Sequence, residues 1–283
     1  EEPVGFATAA GAAAPAIHFA ANNQEWKRES ISAEVDERTI REIYFPAFRA
    51  AVEEAGTWGV MSAYNKLNGT YCGENAHLLH DILKDDWGFQ GFVESDWFFG
   101  TRSTTAPNAG LDIEMPIALK FSTLAQEVQN GAVSQATIDA AVRRILRAQF
   151  CFRLDTDPPV VDPSQVETQA HRDLARDVAR EAIVLLQNAG GVLPIDRRSI
   201  GSIVVVGALA TTANLGDTGS STVSPAATVS PLAGIQGAAG GATVTHVPGP
   251  TFLPEDQTTI AAAGAAVVVV GLDARDEGEG LIT

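Results

Sequence analysis

The sequence predicts an α/β protein built on parallel sheets, in two parts. Strand-like and helix-like segments alternate along the first half, a pattern that places helices outside a parallel sheet. In the second half, runs such as "SIVVVGALA" are continuously apolar and β-branched, as expected of strands covered on both faces. Between the halves lies "LDTDPPVVDPSQ", where Pro158, Pro159 and Pro163 make a stiff linker.

Taken in order, "PAIHFA" reads as a strand, and "DERTIREIYFPAFRAAVEEAG" as a helix with Ile40, Ile43, Tyr44, Phe48, Ala51 and Val52 on one face. Pro46 should kink or restart that helix, and Gly56 should stop it. "WGVMSAYN" is a strand. "NAHLLHDILKDDWG" is a helix with Leu78, Leu79, Ile82 and Leu83 inward. "GFVESDW" and a short "LDIEMP" are strands, and Ser134 caps the helix "QATIDAAVRRILRAQF". About four strands precede the linker, whereas a closed (β/α)8 barrel needs eight and typically about 250 residues. Residues 1–157 therefore predict an open sheet or part of a barrel.

Beyond the linker, taken as residues 158–165, "ETQAHRDLARDVAREAIVLLQN" reads as a strong helix. "SIVVVGALA", "ATVTHVPG" and "AAVVVVGLDA" read as strands, and "GDTGSSTVSPAATVSP" as a small-residue loop. Residues 166–283 thus form a second α/β unit, expected to be truncated because no closing element follows "DARDEGEG".

Of the 283 residues, 45% are hydrophobic and 19% charged, an ordinary globular composition. No apolar run approaches the roughly 18 residues of a membrane span. The longest, Ala261 to Leu272, reads as a helix end running into a buried strand. A formal charge of −16 argues against nucleic acid or an anionic membrane as partner. Cys72 and Cys151 lack metal-ligand spacing; two free thiols are expected, with a single bridge left open. No cofactor or metal is expected. The start lacks both an initiator methionine and the basic region of a signal peptide, as in a processed or partial chain.

In parallel α/β architectures, functional groups gather at the carboxyl ends of strands. Four segments deliver polar groups there: His18 with Asn22, Asn23, Gln24 and Glu25; Tyr64 with Asn65; Asp96 with Trp97; and Asp276, Glu277 and Glu279. Each alone has an ordinary structural reading as a core histidine, a turn, a cap or a solvated acidic loop. Together they suit a sugar. Trp and Tyr offer flat faces to pyranose C–H groups, Asn, His and Asp bond hydroxyls, and glycoside hydrolysis needs two carboxyl groups.

"HFAANNQE", "DERTIREIYFPAFRAAV", "VMSAYNKLNGTYCGEN", "LLHDILKDDWGFQGFVESDW" and "GLDIEMP" resemble, in order, consecutive motifs of family 3 glycoside hydrolases of the β-glucosidase type. "VRRILRAQF", "ARDVAREAIVLLQNAGGVLPI" and "VVVVG…EGEG" continue the likeness over nearly the whole chain. The resemblance implies the C-terminal part of a (β/α)8-like barrel followed by an α/β sandwich, with the active site between them. It also implies retaining double displacement on a small-molecule or oligosaccharide β-glycoside. By the same resemblance Asp96 is the nucleophile, and His18, Tyr64, Trp97 and Met61 bind substrate. The acid/base is Glu279, with Glu277 as runner-up. Compartment is almost unconstrained by the residues themselves, the resemblance favouring an extracellular or periplasmic setting over a cytoplasmic one by a small margin.

Two departures stand out. Ile17 occupies the place of the family's lysine before His18; losing a charge-assisted hydrogen bond of roughly 1.5–3 kcal/mol would cost about one to two decades in rate. The family's first barrel strands have no counterpart before Glu1, so the isolated chain is expected to be inactive. These departures support the alternative of an inactive or carbohydrate-binding homologue. A nucleotide-binding reading of "VVVGALATTANLGDTGSS" fails for want of G-x-G-x-x-G or G-K-[ST]. The missing second histidine after "HF" points away from the N-acetylglucosaminidase branch.

Overall fold

The computed structural model describes residues 15–24, 26–160, 162–216, 219–220 and 222–273. The chain divides into two compact units, with the break between Val160 and Val161. Both are α/β, and each carries a three-stranded parallel sheet.

In the first unit, β1 (Pro15–Phe19), β3 (Gly59–Ser62) and β6 (Phe92–Ser95) lie side by side in that order. β3 pairs with β6 in unbroken register, from Gly59 opposite Phe92 to Ser62 opposite Ser95. β1 is irregular: Ala16 faces Val60 but Phe19 faces Ser62, so β1 holds one extra residue around His18. Such a bulge bends a strand and re-aims its side chains. A small separate sheet joins β2 (Ser32–Ala33), β4 (Lys66–Leu67) and β5 (Thr70–Tyr71).

The helix His77–Asp86 covers the main sheet, burying Leu78, Leu79, Ile82 and Leu83 as its periodicity predicts. Phe19 is fully buried against Phe45, Phe48 and Trp87, with ring centroids 5.0–5.6 Å apart. This aromatic anchor fixes the end of β1 and leaves His18, its neighbour, for the opposite face. Ser134 caps Gln135–Cys151, its Oγ accepting from the Thr137 N–H.

In the second unit, β7 (Ser202–Val206) lies between β8 (Thr243–Val247) and β9 (Ala265–Val268), all parallel. Val204 and Val205 are 1% and 0% exposed, as a strand covered on both faces requires. Gly207 ends β7 at φ +121°, where a Cβ would meet the Val269 carbonyl at 2.2 Å. Only glycine lets the chain leave the sheet there. A mostly apolar cleft of about 1170 Å³ opens beyond these strand ends, bordered by Leu209, Leu215, Ile183 and Val270. Glu167 also lines it, but its carboxylate is engaged by the Ala226 N–H at 2.9 and 3.2 Å.

Four expectations are corrected. Ile43 is 70% exposed, because Ile40–Tyr44 winds with i→i+5 bonds and rotates it off the buried face. "LDIEMP" makes one bridge, Glu94 with Ile113, rather than a strand. The helix read through to Asn188 ends at Glu181. Among the described residues β9 is an edge strand with Val268 63% exposed, so the run from Ala261 is not buried throughout. Cys72 and Cys151 are both free, and burial pushes the Cys72 thiol up to about 12. No described helix is long and apolar enough to cross a membrane.

Candidate active site

The carboxyl ends of β1, β3 and β6 bring His18, Tyr64 and Asp96 together. Asp96 follows β6 directly and is 6% exposed. Its Oδ1 accepts the Trp97 N–H at 2.8 Å, while Oδ2 lies 3.4 Å from His18 Nε2. Tyr64, two residues past β3, donates its hydroxyl to the Trp97 carbonyl at 2.9 Å, and Arg28 lies over the Tyr64 ring at 4.7 Å. A buried Oδ2 without a hydrogen bond of good geometry is left facing this group.

Such an atom is rare, because leaving a buried acceptor unsatisfied costs about 1–3 kcal/mol. Burial raises the Asp96 pKa above its ordinary value; the Trp97 N–H, His18, Tyr64 and Arg28 oppose that rise and favour the anion. The outcome is a weakly solvated carboxyl group, more basic than an exposed one.

The turn carrying it is held tightly. A Cβ on Gly100 would sit 2.4 Å from the Asp96 nitrogen, so the chain doubles back where only glycine fits. Glu74 clamps the far side, accepting from the Arg102 N–H at 2.5 Å and the Thr101 hydroxyl at 3.2 Å. Ser95 anchors the near side: its Oγ accepts the Met115 N–H at 2.9 Å. Asn65 donates to the Ala20 carbonyl at 3.2 Å, tying the chain after β3 to the chain after β1.

Trp97 is adjacent and 49% exposed, with Phe98 and Phe99 beside it, an open aromatic face. Met61 lies in β3 opposite Glu94, which precedes Asp96 by two residues. Asn23 turns away to the Tyr44 hydroxyl at 3.3 Å. Glu277 and Glu279 lie outside the described residues, as do Glu25 and Asp276. Sequence reasoning passed over Arg28, Glu74 and Gly100. Arg28 stands four residues after the flagged "NNQ", and its charge was the available signal.

The architecture and site are those of an α/β protein with a buried acid and polar groups gathered at parallel strand ends. The glycosyl hydrolase family 3 N-terminal domain matches residues 7–148, and the C-terminal domain of the same family matches residues 183–281. The chain belongs to glycosyl hydrolase family 3. It is 42% identical over 209 residues to thermostable beta-glucosidase B of Acetivibrio thermocellus, covering 73% of this chain and 27% of that protein. It is 41% identical over 234 residues to a beta-glucosidase of Rhizobium radiobacter, covering 82% and 28%. The solved structure of a Streptomyces venezuelae beta-glucosidase in complex with D-glucose matches with a TM-score of 0.78 and 38% identity, covering 85% of this chain and 32% of that one. The chain thus spans under a third of the length of these relatives.

Proposed function

We propose that the protein containing this chain hydrolyses terminal β-D-glycosides, glucosides foremost, with retention through a covalent intermediate on Asp96. The observation that carries this reading is the buried Asp96 Oδ2, which lacks a hydrogen-bond partner at the junction of three parallel strands. An enzyme nucleophile must be desolvated yet charged; the burial of Asp96 supports the first condition, and the Trp97 N–H, His18, Tyr64 and Arg28 support the second. Membership of a glycosyl hydrolase family and the names of the relatives supply the reaction class.

Asp96 attacks the anomeric carbon as a general acid protonates the departing glycosidic oxygen; water then cleaves the ester with that residue acting as base. Glu279 takes the acid/base role, with Glu277 two residues away as the alternative. His18 orients Asp96 and bonds a sugar hydroxyl, Tyr64 holds the turn, and Trp97 with Met61 borders the sugar. Residues 1–157 contribute to a (β/α)8-like barrel, 158–165 link, and 166–283 contribute to an α/β sandwich. The substrate is a small-molecule or oligosaccharide β-glycoside.

In the intact protein, NMR should show the β-anomer of glucose released first from an aryl β-glucoside; first release of the α-anomer would contradict double displacement. Glu279→Ala should spare glycosylation by substrates with good leaving groups and recover turnover with azide. That behaviour in Glu277→Ala instead would move the acid/base by two residues.

A further inference from the structure

Glu94 is a carboxyl for which the mechanism above has no use. It sits in β6 two residues before Asp96, the spacing that puts alternate side chains of an extended segment on one face, about 6–7 Å apart along the chain. Its backbone is fixed from both sides, paired with Met61 in β3 and bridged to Ile113. It is neither exposed nor paired: among the described residues no hydrogen bond or ion pair reaches its side chain. The contrast with Glu114 is instructive, since that buried carboxylate accepts from the Lys120 and Phe121 N–H groups at 2.7–2.9 Å.

Two carboxyls this close in a half-buried setting do not readily carry charge together. The titratable or charged groups on the flanking elements are His18 on β1, Tyr64 beyond β3, Arg28 over the Tyr64 ring and Glu114 beside the Ile113 bridge, with Lys84 and Arg144 paired to Asp112 at the Val93 N–H and Arg147 at Gln90. His18, Tyr64 and Arg28 act on Asp96 and favour its anion. Glu94 instead meets burial first and the Asp96 charge second, and both raise its pKa. The surroundings thus favour the anion on Asp96 and the neutral form on Glu94.

We propose, resting on the reading of Asp96 as nucleophile, that Glu94 is a positioning residue whose charge alternates with that of Asp96. While Asp96 is a free carboxylate, Glu94 is a neutral acid. When an Asp96 oxygen bonds the anomeric carbon and the glycosidic bond breaks, with the general acid protonating the leaving oxygen, Asp96 becomes a neutral ester. Glu94 then releases its proton to water and becomes the local anion beneath the sugar. In deglycosylation, that anion stabilises the positive charge developing at the anomeric carbon. Water restores the Asp96 carboxylate, and Glu94 takes a proton back.

The test uses the intact protein and infrared titration of the protonated-carboxyl C=O band, assigned to Glu94 by its loss in Glu94→Gln. Its midpoint should lie above the ordinary glutamate range and fall by about one pH unit in Asp96→Asn, which imitates the uncharged ester. An unchanged midpoint in Asp96→Asn would overturn the coupling. Step-resolved kinetics tests the consequence: Glu94→Gln should slow deglycosylation about tenfold or more while leaving glycosylation within about twofold. Equal slowing of both steps would reduce Glu94 to packing. If Asp96→Asn retained turnover, the nucleophile assignment itself would fail, an outcome separate from either result for Glu94.

Discussion

Asp96 and Asp112 are both buried aspartates of the first unit, 6% and 7% exposed, and their surroundings are opposite. Asp112 is surrounded by donors: Lys84 at 3.1 Å, Arg144 at 2.9 Å and the Val93 N–H at 2.9 Å. Lys84 also donates to the Gly110 carbonyl. Both cations share the one carboxylate, so the group locks the helix His77–Asp86, β6 and the helix Gln135–Cys151 together. Asp96 has one backbone N–H, a histidine at 3.4 Å and an oxygen with no hydrogen bond. Burial alone does not distinguish the two; the completeness of their hydrogen-bond partners does. Asp112 is held by its donors within the unit, whereas Asp96 keeps an oxygen open at the strand ends.

Exchanging charge for neutrality should separate the two most sharply. Asp96→Asn should lower kcat by on the order of 10⁴-fold, since the proposed nucleophile is removed. It should also raise the melting temperature at pH 7. The sign follows from linkage: a raised carboxyl pKa means that the folded state holds more protons than the unfolded one. That group's contribution therefore falls as pH climbs from the unfolded value of about 3.9 through the higher folded one. The gain from Asp96→Asn should accordingly be larger at pH 7 than at pH 4, read by calorimetry. An Asp96→Asn protein that melts lower at pH 7 would contradict the strained-anion account.

Asp112→Asn should do the reverse. It leaves Lys84 buried without its counterion, a change that costs about 3–5 kcal/mol. Burial lowers the Lys84 pKa to about 8 despite Asp112, so the lysine is cationic at pH 7 and its desolvation is real. A fall in melting temperature of roughly 6–20 °C is expected for a unit of this size. Active-site titration should show that the protein still folded keeps near-normal kcat.

The smallest effect concerns the edge of the site. Ile17 is 52% exposed and precedes His18 in the irregular part of β1. If position 17 takes the lysine's role seen in the family pattern, Ile17→Lys should raise kcat/KM about tenfold or more through a ~1.5–3 kcal/mol contact. An unchanged value would mean that the bulge directs position 17 away from the sugar.

Much of this site was legible in residue types at strand ends. Asp96 after "FVES", Tyr64 after "MSA" and His18 in "AIHF" each follow a short apolar run, and the parallel sheet brings all three to one edge. What was not legible depends on backbone detail. Pro46 has no N–H to continue an α-helical ladder, and the preceding turn widens to the Phe45 N–H bonding the Ile40 carbonyl. A 3.6-residue periodicity fails across that turn, so Ile43 was placed on the wrong face. "IVLL" at 183–186 is apolar without being periodic, and Ile183 through Leu186 are 63–92% exposed. Helical patterning had nothing there to hold it. The segment after Gly110 reads as a strand, yet Glu114 turns to the backbone at Lys120 and Phe121 and ends the pairing after one bridge. Glu94 was read only as part of the strand "GFVESDW"; its unpaired carboxyl needed the register to become visible.

The most direct test of the difference between the two aspartates is covalent trapping. A 2-deoxy-2-fluoro β-glucoside with a good leaving group should glycosylate the intact protein once, with loss of the aglycone, and peptide mass spectrometry should place the sugar on Asp96. Asp96→Asn should take up none, while Asp112→Asn, where folded, should still be labelled on Asp96. A sugar found on any other carboxylate, or full labelling of Asp96→Asn, would contradict the account.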